Sequence, residues 1–150
     1  MIKFTHSDAW LLQAILYSSR DKDATLRDII GMGDGLNKAI FAPGELQQGF
    51  DRLINANLIT WINNKLSLTE PARKKLSHLI SSELTILEER DEIAKIIGAA
   101  PWSSKDPIPE FDPNYKPSFF SLRDYKKAYR KYNKEMMKVI RKLEKKDKRR

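Results

Sequence analysis

The sequence predicts a mainly α-helical fold in which three helices are closed by a short β-hairpin and followed by long helices. Three observations predict it. Apolar residues recur at helical spacing through most of the first hundred residues. The period shortens to two between Asn57 and Thr69, and a 3-4 apolar repeat resumes after a proline-rich stretch.

Ser7 is a suitable N-cap for the first helix, with Asp8 in the first turn, where a negative charge faces the positive end of the helix dipole. Leu11, Leu12, Ile15 and Leu16 form its buried face, and the polar run 18–23 ends it. Thr25 caps a second helix with a short apolar face of Leu26, Ile29 and Ile30. Gly31, Gly33 and Gly35 are expected to break that helix, with Leu36 to Phe41 as a further helical turn. Pro43 opens a third helix over 43–57, at a position where its missing N–H does no harm. Leu46, Phe50, Leu53, Ile54 and Leu58 trace the apolar face of this helix. Glu45, Gln47, Gln48, Asp51, Arg52 and Asn55 occupy the other.

Leu58–Ile62 and Leu66–Leu68 read as strands joined by a tight turn at Asn63, Asn64 and Lys65, because asparagine tolerates positive φ. Thr69 caps the next helix, with Glu70 and Pro71 in its first turn, and the apolar spacing carries it as one element through Leu76, Leu87 and Ile97 to Gly98. The predicted organisation is therefore a helical domain over 1–98, a strap over 99–120 and a C-terminal helix over 121–150. Five of the seven prolines fall in the strap, and Trp102, Phe111, Tyr115, Phe119 and Phe120 within or beside it should pin part of it to the body. From Ser121 onward, Leu122, Tyr125, Tyr129, Tyr132, Met136, Val139 and Leu143 form a heptad seam that wants a partner helix. Beyond it, residues 145–150 read as a frayed tail.

Charge is placed unevenly. Residues 1–100 carry 12 Lys+Arg against 13 Asp+Glu, residues 101–120 carry 2 against 3, and residues 121–150 carry 14 against 4. The net charge of +8 thus belongs to the last helix, which makes an anionic partner a matter for that helix and not for the whole chain. With no cysteine, disulfides and thiolate metal sites are excluded. No apolar run reaches the roughly 18–20 residues of a membrane span. The run Trp10–Tyr17 has the length of a signal-peptide core, but Asp8 and Gln13 suit an amphipathic helix, so the expected compartment is the cytoplasm.

Phe50-Asp-Arg-Leu-Ile-Asn-Ala-Asn-Leu-Ile59 resembles a recognition helix running into a wing. Leu66-Ser-Leu-Thr-Glu-Pro-Ala-Arg-Lys-Lys-Leu76 resembles the second wing strand and following helix of MarR- and PadR-like winged helix-turn-helix regulators. Leu26 to Ile59, with Gly33-Asp-Gly35 and Ala39-Ile-Phe41, is also similar to small, functionally unassigned bacterial winged-helix proteins. The resemblance covers about half of the chain, and the glycine segment lengthens the link between second and third helices relative to a typical helix-turn-helix.

The resemblance implies a transcriptional regulator that binds double-stranded DNA, with the third helix in the major groove. Gln47 and Gln48 would contact adenine and Arg52 guanine or phosphate, with Asp51 and Asn55 on the same face. Asn63, Asn64 and Lys65 at the wing tip would meet the backbone or minor groove. The face holds one arginine against Glu45 and Asp51, so a non-enzymatic adaptor that binds protein is the alternative. Lys126, Lys127, Arg130, Lys131 and Lys134 clothe the last helix and could follow a nucleic-acid backbone or an acidic partner protein. Equally, they could be a solvated face whose seam packs on the body or in a homodimer.

Catalysis has little support. His6 and His78 lack metal-ligand spacing, and Gly31–Gly35 lacks the Lys-Ser/Thr of a phosphate loop. Asp106, Glu110 and Asp112 lie among prolines, where a rigid acid–base pair is hard to hold. No catalytic residue, cofactor or metal is expected, and Trp10 and Trp61 read as core residues.

Overall fold

The computed structural model describes residues 1–149. Its first helix, α1 (His6–Ser18), is capped by Thr5 and not by Ser7. A capping box needs an acceptor three residues on. Thr5 has Asp8 there and exchanges both bonds with it, whereas Ser7 has Trp10 and donates instead to Glu45.

Helix α2 (Leu26–Asn37) starts at the expected Thr25 cap but runs through all three glycines and closes on Lys38 in the left-handed region, φ 52°. Gly31 and Gly33 are packing positions. Gly31 lies under the Tyr132 ring and Gly33 under the Phe41 ring, and Trp10 Nε1 donates to the Gly33 carbonyl at 3.0 Å. No helical turn forms after Asn37; Phe41 is buried with its ring 3.7 Å from that of Trp10. The link to α3 (Pro43–Asn55) is thus residues 38–42, not a lengthened glycine segment.

At the end of α3 the chain turns at Asn57, φ 58°, into β1 (Ile59–Ile62), which pairs antiparallel with β2 (Lys65–Leu68) in the register Ile59 to Leu68. Asn63 and Asn64 have φ 53° and 61°, the two positive values a type I′ turn needs. Ala24, in the α1–α2 link, adds a bridge to Leu66 through two backbone bonds of 2.8 and 2.7 Å. That bridge has no periodic signal in the sequence.

The single helix expected over 70–97 is two: α4 (Glu70–Ile80) and α5 (Ile86–Ile97). Thr85 and Glu88 form a capping box that restarts the chain, and the bend turns α5 back onto α1. There Gln13, wholly buried, donates to Glu89 and accepts from Arg90, while Tyr17 donates to the other Glu89 oxygen. Arg90 also bonds Asn37 and the Leu36 carbonyl at the end of α2. Both charged side chains therefore enter the interior with their polar groups matched.

Part of the strap is pinned as expected. Phe120 is buried beside Phe50 and Phe111, whereas Trp102 stays 69% exposed. Ser121 caps α6 (Leu122–Lys148), which lies antiparallel to α2. Tyr125 donates to the Phe41 carbonyl, Tyr132 to Asp34, and Glu135 pairs with Arg27. Residues expected to fray, 145–148, are helical, and Arg150 lies outside the described residues. Among the described residues, no helix is long and apolar enough to cross a membrane.

Two measurements test this packing. A Cβ on Gly33 meets the Phe41 ring and overpacks the core, at a cost of about 1–3 kcal/mol, while Gly35 has nothing within 4 Å. Urea unfolding should show Gly33→Ala destabilised and Gly35→Ala stabilised by about 0.5–1 kcal/mol, the usual helix gain. Burial first, then the Asp34 bond, raise the Tyr132 pKa from 10.0 to about 12, and burial and Glu89 do the same to Tyr17. A raised folded pKa contributes stability that is complete below the unfolded value and is lost as pH climbs through the folded one. Stability should therefore hold from neutral to about pH 10 and fall between about 10 and 12, less steeply in Tyr132→Phe.

Candidate nucleic-acid interface

The sequence places one set of candidate contacts on α3, and the fold spends most of them internally. The strap crosses the outer face of that helix. Gly44 lies against the Pro109 carbonyl, where a Cβ has no room. One turn on, Gln47 donates to the Asp112 carbonyl at 2.8 Å and accepts from the Asp112 N–H at 2.9 Å, so both ends of its amide are used. A further turn on, Tyr115 donates to Asp51, which raises the tyrosine pKa through that bond and then through burial. The spacing 44, 47, 51 is one helical stripe, and the strap follows it.

Arg52 faces inward. Its Nε and Nη2 hold the two oxygens of Asp8 at 2.7 and 3.0 Å, a bidentate pair with a carboxylate that is wholly buried. Gln48 is half-buried beside it, and of the α3 side chains only Asn55 is exposed, donating to Asp51.

The other two sets of candidates meet in part, through Asn64 on one side and Lys127 and Lys131 on the other. Asn63, Asn64 and Lys65 are exposed at the hairpin tip, and Lys126, Lys127, Arg130, Lys131 and Lys134 are exposed on α6. Asn64 from the tip and Lys127 and Lys131 from α6 line one open cleft of about 380 Å³, with Trp61, Phe119 and Arg27 also on its wall. Asp124 is its one acidic lining residue. Lys127, Lys131, Lys134 and Lys138 recur at helical spacing, so the cleft opens onto a continuous basic stripe. Lys126 and Arg130 lie to one side of that stripe.

The sequence gives the tip and the basic helix separately. Their meeting depends on Tyr132 holding α6 to α2 and Tyr125 holding it to the α2–α3 link, and on Phe119 and Phe120 packing against Trp61 and Phe50. Trp61, expected in the core, and Phe119, expected to pin the strap, are both partly buried against the core and also line the cleft. Among the described residues, no three His, Asp or Glu side chains converge in a way that could hold a metal ion.

The role of Arg52 is open to a direct measurement. Arg52→Ala leaves the buried Asp8 carboxylate unpaired and should lower stability by about 3 kcal/mol in urea unfolding. A free surface arginine would cost under about 0.5 kcal/mol.

Comparison of the chain with models of protein families, with curated proteins and with solved structures finds no match.

Proposed function

We propose that the chain is a non-enzymatic winged-helix protein that binds the phosphate backbone of double-stranded DNA through the cleft between its hairpin and α6, in the role of a transcriptional regulator. The observation that carries this reading is the convergence of Asn64, Lys127 and Lys131 on one cleft. The order α1, Ala24 bridge, α2, α3, β1, β2 supports the winged-helix part of it, with the hairpin as the wing.

Electrostatics favour α6 over α3 as the contact. Duplex DNA carries one charge per about 1.7 Å of axis, and affinity comes largely from neutralised phosphates. From Lys127 to Lys138 the stripe is about 16 Å long at 1.5 Å per residue, enough to face several phosphates. By contrast, Gln47, Asp51 and Arg52 are engaged within the chain, which leaves Gln48 and Asn55 at the edge of α3 for any base contact. The proposal is therefore for binding dominated by charge, with little discrimination between sequences.

The adaptor alternative draws on a different part of α6. Val139 and Leu143 continue the seam beyond Met136, the last seam residue beside α2, and stay exposed.

Binding to random duplex DNA at low salt, followed as salt is raised, tests the DNA reading. The logarithm of the binding constant should fall linearly with the logarithm of salt concentration. In Lys127→Ala/Lys131→Ala the slope should drop by about two, with affinity reduced alike on all sequences. Absence of binding at low salt, or a double variant indistinguishable from the parent, would remove the cleft as the contact.

A further inference from the structure

We infer that the distal end of α6 docks on the α4–α5 turn of a second copy of the chain, so that two copies pair through two equivalent contacts. This inference is independent of DNA binding.

The docking element is the overhang of α6. The helix is antiparallel to α2, and Glu135 meets Arg27 in the first turn of α2. Met136 still borders a cleft with Asp28, Gly31 and Met32 of α2 and with Tyr17 and Ser18 of α1, whereas Val139 and Leu143, beyond it, are 50% and 57% exposed. A 3-4 apolar row is the pattern of a helix that packs on another helix. From 136 to 148 it carries six basic side chains against two acidic, a net of +4, with Lys142 and Lys146 one turn apart along the edge of the row.

The receiving element has the opposite charge and the same kind of unfilled apolar surface. Leu84, Ile86 and Leu87 are exposed where α4 turns into α5. Around them stand Glu83, Glu88 and Asp91, all exposed, while Arg90, the cation next to Asp91 in the chain, is buried in the Gln13 network. Within one chain neither patch covers the other, since both remain open to solvent.

Placement makes a symmetric pairing feasible. Tyr17, near the end of α1, bonds Glu89 of α5 and also borders the cleft that Met136 enters from α6. The acidic turn and the basic overhang therefore flank the same end of α1. A two-fold axis near that end gives each overhang the other copy's turn, and each contact occurs twice. Charge argues against the simpler pairing of two overhangs, which would set +4 against +4 along a shared seam. It argues for the overhang on the turn.

Sedimentation equilibrium on the full chain, with complementary charge swaps, tests the pairing. One variant carries Glu83→Lys and Asp91→Lys, the other Lys142→Glu and Lys146→Glu; all four side chains are exposed, so neither change touches the core. The parent should dimerise more weakly as salt rises. Each variant alone should dissociate about tenfold or more readily. Mixed one to one, the variants should associate with each other, because the basic overhang of the first meets the acidic turn of the second and the reversed pair is matched as well. A parent that stays monomeric at every concentration would overturn the inference. So would either variant dimerising like the parent, or a mixture that fails to associate while circular dichroism shows both variants folded.

Discussion

The Tyr132 ring lies so close to α2 that a Cβ on Gly31 would fall 2.8 Å from it, and that single missing side chain sets where α6 runs. Tyr132 is the deepest residue of α6, and its hydroxyl finishes on Asp34 one turn further along α2. With that contact fixed, Tyr125 reaches the Phe41 carbonyl and Arg27 reaches Glu135, so three polar bonds define a helix that is otherwise mostly solvated. The basic stripe is then turned toward the hairpin by geometry alone, since side chains at helical spacing share one direction. Gly33 acts in the same way two residues on, letting Phe41 and Trp10 close the centre of the core. Two glycines in mid-helix each cost up to about 1 kcal/mol in propensity, which the close ring contacts offset.

Helix α3 is held from two sides by different physics. On its inner side, Arg52 neutralises a buried carboxylate that also caps α1. Such a pair adds little net stability over an apolar replacement, but it cannot lose one partner cheaply. On its outer side, the strap reads the helix with its own backbone through Asp112 and fills the remaining stripe with Phe111 and Tyr115. An element with polar residues on its outward face is thus nearly all covered, and the net positive charge of the molecule lies on α6.

The elements legible in the sequence are those set by neighbours in the chain. Thr25, Thr69 and Ser121 cap helices because their hydroxyls meet an N–H three residues on. Asn63 and Asn64 make the turn because both accept positive φ. The break at Thr85 had the same kind of local signal in Thr85 and Glu88, but the apolar spacing on either side stays in phase and masks it. Thr5 and Asp8 were likewise a complete box beside a plausible serine. What the sequence hides is contact at long range. The partners of Gly31 and Gly33 lie in α6 and in the link before α3, and no local rule names them. For the candidate site, the lysines and the asparagine tip were legible as residues, while the cleft that joins them is a product of tertiary packing.

The buried amide of Gln13 has a consequence for biosynthesis. Its partner Glu89 follows 76 residues later in the chain. At a ribosomal rate of about 5–20 residues per second, α1 waits roughly 4–15 s before that partner emerges. Burying the amide earlier would strip it of water with nothing in return, at about 1–3 kcal/mol. The nascent three-helix unit must therefore keep one flank of α1 wet, and the core can only seal once α5 has left the exit tunnel.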